Sequence, residues 1–139
     1  MCSIILTVIS SFKEHWLLFF IYLLLNVIDT LSGWAKARIN NVESSTVGLM
    51  GIIKKMCGWI IILIGFLIPL GFQELGSILQ VDLSITVYLG WFVLITLIVN
   101  EYRSILENLV EAGCDVPKVL IKGLEVASQK LEELEGKDE

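Results

Sequence analysis

The stretch WLLFFIYLLLNVIDTLSGWA, residues 16–35, opens with thirteen uncharged residues and then places a carboxylate, Asp29, directly behind them. A helix needs about 20 mostly apolar residues to cross about 30 Å of hydrocarbon. Two further apolar runs, 56–72 and 83–99, approach that length with 17 residues each. The sequence therefore predicts three transmembrane helices, at about 16–35, 56–72 and 83–99.

The overall composition also favours a membrane protein. The chain has 139 residues, of which 55% are hydrophobic and 18% charged, and its mean hydropathy is +0.79. Soluble domains usually have about a quarter of their residues charged. Three long apolar runs leave too little polar chain to cover them in water, so we expect an all-α membrane protein rather than a soluble helical domain.

The net charge of −5 is concentrated in one part of the chain. Residues 1–100 carry five basic and five acidic side chains, whereas residues 101–139 carry five basic and ten acidic ones. A nucleic-acid-binding protein needs a basic face that neutralises phosphates. This charge pattern excludes nucleic acid as an expected partner.

The loops between the apolar runs predict the orientation in the membrane. The 36–55 loop contains four basic residues, whereas the 73–82 loop contains two acidic residues and no basic one. Because cytoplasmic loops are enriched in Lys and Arg, the first loop is expected inside, the N-terminus outside and the C-terminus inside. Residues 1–15 are too short to span and are expected to lie at the interface or to extend the first helix. Pro69 is expected to bend or end the second helix.

The segment 101–139 is predicted to be an acidic, amphipathic cytoplasmic tail. Its apolar residues recur at alternating spacings of four and three, which is the coiled-coil period. They are Leu120, Leu124, Ala127, Leu131 and Leu134. Only two heptads are present, so two interpretations stay open. The helix either rests on a surface, which is the membrane or its own hairpin, or associates with the same helix of another copy.

The sequence contains no pattern typical of a catalytic, metal or cofactor site. Cys2, Cys57 and Cys114 are widely separated, His15 is the single histidine, and a phosphate-binding glycine loop is absent from the sequence. Nucleophilic catalysis needs an oriented pair of groups, and metal binding needs a recognisable ligand spacing. We therefore expect a protein that is not an enzyme and that uses no cofactor.

Asp29 is the most informative polar residue. A carboxylate at the centre of a transmembrane helix costs about 2.5–3.5 kcal/mol on insertion scales. Either the helix ends early and Asp29 lies at the cytoplasmic interface, or Asp29 faces other helices. Lys36 is too far from Asp29 along the same helix for a direct ion pair. An ion pair of Asp29 with Lys36 or Arg38 of another copy is possible.

Glycines and lysines complete the set of candidate residues for assembly or triggering. Small residues allow close helix approach in lipid, and lysines beside the anionic inner leaflet contribute about 1 kcal/mol each. The candidates are Asp29, Gly33, Lys36, Gly48, Gly51, Lys54 and Lys55.

Three blocks of sequence carry a resemblance to a known family. They are DTLSGWAKA at 29–37, SSTVGLMGIIKK at 44–55 and NEYRSILENLVEAGCDVPKVL at 100–120. In this order they resemble the toxin-secretion/phage-lysis holin family, and the seven candidate residues lie in the first two blocks. The resemblance implies a homo-oligomeric pore in the bacterial cytoplasmic membrane, with a phage endolysin or a large toxin as its cargo.

Two other functions remain open at this point. An antiholin-like or accessory protein would bind a pore former without making a pore. A small selective channel or transporter would show matching broken helices or a ring of selectivity residues, and neither is evident in the sequence.

Overall fold

The computed structural model describes residues 2–42 and 45–136, and every regular element in these ranges is helical. Ser44 and the last three residues of the predicted tail lie outside the described residues. The helices are α1 Cys2–Ile39, α2 Ser45–Leu79, α3 Leu89–Glu111 and α4 Lys118–Glu135, and a short 3-10 helix, Ser84–Tyr88, precedes α3.

The prediction of an all-α protein with three membrane-spanning helices is confirmed. Three segments are long and apolar enough to cross a bilayer: Lys13–Ile39, Gly48–Leu79 and Ser84–Glu111. Each extends beyond the corresponding apolar run of the sequence, so the ends of the helices project past the hydrocarbon. The segment that joins α1 to α2 is reduced to residues 40–44.

Residues 2–14 are helical and continue into α1, with an interruption at His15. The backbone of His15 has φ −116° and ψ 17°, outside the helical region. The interruption at His15 separates a helical segment, residues 2–14, from the apolar run that starts at Trp16. The expectation that residues 1–15 lie at the interface or extend the first helix stays a prediction.

α2 continues through Pro69 and reaches Leu79, so the helix does not end at the proline. Proline removes the amide donor that would bind the carbonyl of Gly65, four residues earlier. Gly65 lies where α2 and α3 approach closely, since a Cβ added to it would be 3.2 Å from Gly90 Cα. The helix therefore loses one internal hydrogen bond next to a tight helix crossing.

α3 is the central helix, since it packs against both α1 and α2, which touch each other less. The buried apolar residues come from all three helices and are Tyr22, Leu25, Ile62, Leu94, Ile98 and Ile105. Close packing depends on glycine: a Cβ on Gly90 would lie 2.6 Å from the ring of Phe66. Most other apolar side chains of the three spans face outward.

The tail folds back beside the end of α3. Gly113 has φ +85°, a left-handed conformation that favours glycine and ends helices. Ile121 and Leu124 of α4 face Leu106 and Val110 of α3 across a shallow groove. α4 therefore rests on its own hairpin, which is one of the two arrangements that its apolar stripe predicted.

A carboxylate accepts a local hydrogen bond in the connector between α2 and α3. Asp82 Oδ1 accepts a hydrogen bond from the backbone amide of Ser84 at 2.9 Å. This bond stabilises the ionised form and lowers the pKa of the exposed Asp82 carboxyl below its usual value.

Candidate functional site

One lysine joins charged residues from all three spanning helices. The Lys55 ammonium donates to Asp29 Oδ2 at 2.8 Å and to Glu101 Oε2 at 2.7 Å. The three side chains are 16–17% exposed. Charge-assisted hydrogen bonds of this length are roughly twice as strong as neutral ones. Lys55 therefore ties α2 to both α1 and α3.

An amide completes the arrangement on the α1–α3 side. Asn108 Nδ2 donates to Asp29 Oδ1 at 3.0 Å and lies 3.2 Å from Ser32 Oγ. Both oxygens of Asp29 thus receive a donor. Gly33 lies beside this contact, since a Cβ there would be 3.5 Å from Asn108 Nδ2. The five side chains Ser32, Asp29, Lys55, Glu101 and Asn108 are called the charged cluster below.

The antiparallel hairpin of α1 and α2 explains why Asp29 meets Lys55. Asp29 lies ten residues before the end of α1 at Ile39, and Lys55 lies ten residues after the start of α2 at Ser45. Both are therefore at the same height above the connector. Of the two positions expected for Asp29, the structure shows the carboxylate facing other helices, and its partner is Lys55 of the same chain rather than Lys36 or Arg38 of another copy.

The charged cluster lies at one edge of a zone without charged residues. Residues 15–28 of α1, 56–73 of α2 and 83–100 before and within α3 contain no Asp, Glu, Lys or Arg. The 18 residues of 56–73 would span about 27 Å as a helix, close to the thickness of the hydrocarbon core. Asp29 directly follows the first run, Lys55 directly precedes the second, and Glu101 directly follows the third. The cluster therefore marks the membrane boundary on that side of the bundle.

The tail supports this position of the boundary. α4 carries lysines and glutamates and packs beside residues 103–111 of α3. A charged helix of this kind is disfavoured in hydrocarbon, so residues 103–111 lie outside it. At the same end of the bundle, Lys36 pairs with Glu111 at 3.2 Å, and Asn40 Nδ2 donates to the Glu111 carbonyl at 3.3 Å.

An aromatic layer fills the bundle on the membrane side of the cluster. The ring centroids of Tyr22 and Trp59 are 5.0 Å apart, and those of Phe66 and Trp91 are also 5.0 Å apart. Phe19 contacts both Phe66 and Trp91, at 5.7 Å in each case. These five rings, Phe19, Tyr22, Trp59, Phe66 and Trp91, are called the aromatic layer, and they lie in or against the buried apolar core of the bundle.

The seven sequence candidates separate into two groups. The structure brings Asp29, Gly33 and Lys55 together and places Lys36 in the nearby ion pair. Lys54 is exposed, and within the described residues nothing lies within 4 Å of a Cβ added to Gly48 or Gly51. These three residues are available to a partner, and their proposed role in assembly remains a prediction.

Sequence reasoning missed Glu101, Asn108 and Ser32. Glu101 was assigned to the tail, although it follows the last uncharged run directly and α3 continues through it to Glu111. Glu101 and Asn108 are seven residues apart, so they share one face of the helix. A carboxylate and an amide two turns apart, at the end of an apolar run, is the signal that could have identified them.

The chemistry of the site is that of a structural ion cluster. It contains two carboxylates that both accept hydrogen bonds from one ammonium. Within residues 2–42 and 45–136, no group of three or more His, Cys, Asp or Glu side chains could hold a metal ion. The arrangement can hold three helices in register or release them.

Comparison with known proteins identifies related sequences. A sequence model of the bacteriophage holin family matches residues 5–129. An uncharacterised protein of Halalkalibacterium halodurans, BH0965, is 28% identical over 125 residues, which cover 89% of this chain and 88% of that protein. No solved structure matches this chain.

Proposed function

Because the chain belongs to the bacteriophage holin family, we propose that it inserts into the bacterial cytoplasmic membrane and associates with copies of itself to permeabilise that membrane. Its cargo is an endolysin or a toxin that leaves the cytoplasm through the lesion. The observation that carries the proposal is the charged cluster, a set of polar contacts held inside the protomer at one membrane boundary.

A single protomer contains no water-filled passage that we can identify among its described residues. Its charged cluster is enclosed by three helices, and its outer surface within the membrane is apolar. Three helices enclose too little space for a folded protein to pass, so permeabilisation by this chain requires many copies. Those copies must supply a water-facing surface that the isolated protomer keeps inside.

The distribution of basic residues supports an orientation with the C-terminus inside. Lys36, Arg38 and Lys54 lie at the same end of the bundle as the charged cluster, whereas Glu74 and Asp82 lie at the other end. Lysine and arginine favour the cytoplasmic side and the anionic inner leaflet. In this orientation the charged cluster and α4 lie on the cytoplasmic side.

The cluster also changes the role proposed for Asp29. In the closed protomer Asp29 does not face lipid, so its desolvation alone does not drive assembly. Opening would instead require the helices that share Lys55 to separate or to find equivalent partners in a neighbouring copy. Asp29→Asn should alter the timing of lesion formation; unchanged timing and unchanged sensitivity to membrane potential would remove Asp29 from the trigger.

Expression of the chain alone in a bacterium tests the proposed function. The membrane potential is followed with a voltage-sensitive dye, and release of a co-expressed endolysin is followed by lysis. We expect depolarisation and lysis after a delay. Cells that stay energised would contradict pore formation and favour an antiholin-like accessory protein, and depolarisation without leakage of large solutes would favour a selective channel.

A further inference from the structure

α4 packs on α3 with one side of its surface. Ile121, Leu124 and Ser128 line the shallow groove between the two helices. Leu120 and Leu134 lie on another side of α4 and are 52% and 55% exposed. Leu120 precedes Ile121 by one residue, which is a rotation of about 100° around a helix. The contact with α3 therefore does not cover these two leucines.

The two exposed leucines belong to the heptad pattern of α4. Leu120, Ala127 and Leu134 are spaced by seven residues, and Leu124 and Leu131 occupy the intervening apolar positions of the same pattern. A seven-residue repeat keeps one side of a helix in contact with a second helix over successive turns. Leu120, Ala127 and Leu134 are called the outer stripe below. The outer stripe has the spacing of a helix contact that the protomer leaves unused.

The outer stripe lies outside the hydrocarbon. α4 carries three lysines and four glutamates, is separate from the three candidate spans and packs beside the part of α3 that projects past the charged cluster. The exposed apolar side chains of the spans face lipid, whereas those of α4 lie beyond the lipid core. Val119 and Val126, which are also seven residues apart, are exposed beside the outer stripe. Exposed apolar surface of this kind marks a contact with another molecule.

The charge of the tail disfavours the membrane surface as that other molecule. A helix that lies on an anionic leaflet usually has a polar face rich in lysine and arginine. α4 has more glutamates than lysines, and residues 101–139 carry ten acidic and five basic side chains. A second copy of α4, in contrast, offers an identical apolar stripe with the same repeat.

Insertion in one orientation brings the α4 helices of different copies into one layer with the same polarity. Two heptads are fewer than the three or four that are typical of a stable coiled coil, so free helices of this length would associate weakly. Restriction of the copies to one membrane raises their effective concentration. A contact that is too weak between soluble helices can therefore form between neighbouring protomers.

We propose that the outer stripe of α4 packs against the outer stripe of a second copy as a short parallel coiled coil, while the side that carries Ile121 stays on α3. This inference rests on the proposed function, since it assumes association of like-oriented copies in one membrane. The same residues meet from both copies, so the contact is isologous and joins protomers in pairs. Larger assemblies then require a second contact within the membrane.

Disulfide crosslinking of the full chain in isolated bacterial membranes tests the contact. The natural cysteines are replaced, and Ala127→Cys places one thiol in the outer stripe. Because the contact is isologous and parallel, oxidation of this single variant should yield a disulfide-linked dimer. Gln129→Cys is the matched control, since Gln129 is exposed and lies two residues on, about 200° around the helix. It should yield little dimer, and equal yields from the two variants would overturn the contact.

The other outcomes separate this inference from the proposed function. The absence of a dimer from Ala127→Cys, while an amine-reactive crosslinker still yields oligomers, would overturn the α4 contact and leave the proposed function intact. If a water-soluble maleimide then also labels Ala127→Cys more slowly than Gln129→Cys, the leaflet rather than a second copy covers the outer stripe. The absence of oligomers with either chemistry would overturn both proposals.

A charge-swap experiment asks whether the same position of two copies meets in the contact. Energy transfer between labelled copies in liposomes reports association. Ala127→Glu should weaken association about tenfold, because like charges then face each other, whereas Gln129→Glu makes the same change of charge and should leave association unchanged. A mixture of Ala127→Glu and Ala127→Lys copies should restore the signal. Failure of the mixture to restore it would show that the substitution acts on the packing of α4 against α3, and would overturn the proposal.

Discussion

Replacement of Lys55 by methionine is the sharpest test of the charged cluster. The change keeps the length of the side chain and removes the ammonium that Asp29 and Glu101 share. Two largely buried carboxylates then face each other with only Asn108 as a donor to one of them. Removing one partner of a buried ion pair costs about 3–5 kcal/mol, because a charge is left uncompensated. We expect Lys55→Met to lower the free energy of unfolding by about that amount.

Lys54→Met is a matched control for this experiment. Lys54 directly precedes Lys55 and is exposed. Its replacement by methionine changes the net charge by the same amount and also removes one basic residue near the connector. Exposed substitutions usually change stability by less than about 0.5 kcal/mol. The purified variants are compared by unfolding in mixed detergent micelles, with helicity as the signal. Equal stability of the two variants would refute the assignment of Lys55 to a buried ion cluster.

A rescue experiment separates charge from packing. If unpaired carboxylates cause the loss of stability, Asp29→Asn in the Lys55→Met background should restore part of it, because one of the two like charges is removed. If lost packing of the lysine stem causes it, the second substitution should add a further loss. The coupling between the two positions is read from the double-mutant cycle.

Three further predictions follow from the packing and the topology. Gly58→Ala should lower the free energy of unfolding in micelles by about 1–3 kcal/mol relative to Gly71→Ala. A Cβ at Gly58 would overlap the buried Tyr22 hydroxyl, whereas no described atom lies within 4 Å of a Cβ at Gly71. Equal stabilities of the two variants would contradict this. Asn108→Leu should cost about 1–3 kcal/mol in the same assay, since it removes the second donor to the α1 carboxylate, and a neutral effect would argue against that bond. A thiol at Gln80, introduced as Gln80→Cys, should react with an impermeant reagent from outside the cell, and labelling only from the cytoplasm would reverse the orientation.

The sequence predicted the helices because hydrocarbon imposes a simple requirement. A helix that faces lipid must be apolar over a fixed length, so each span could be recognised from its own residues without knowledge of its neighbours. The ends of the helices were less predictable. Residues 36–39 and 45–55 were assigned to a basic loop, yet both are helical, since the polarity that ends a transmembrane run does not end the helix.

The partners of Asp29 could not be predicted in the same way. The sequence identified Asp29 and Lys55 separately, but their contact depends on the height of each residue above a connector whose bounds were not known. Glu101 and Asn108 depend further on α3 lying beside α1. Individual residues can be recognised locally, whereas the charged cluster is a property of three helices in register.

The depth of the charged cluster also limits how the membrane potential acts on it. A charge that crosses the whole membrane gains about 2.3 kcal/mol per 100 mV. The cluster lies at one edge of the uncharged zone, so in the closed protomer it experiences little of that field. A dependence of lesion formation on potential must therefore come from charge that moves during opening. If such a dependence exists, the Lys55 ammonium is the charge to test, because separating α2 from either neighbour breaks one of its two ion pairs.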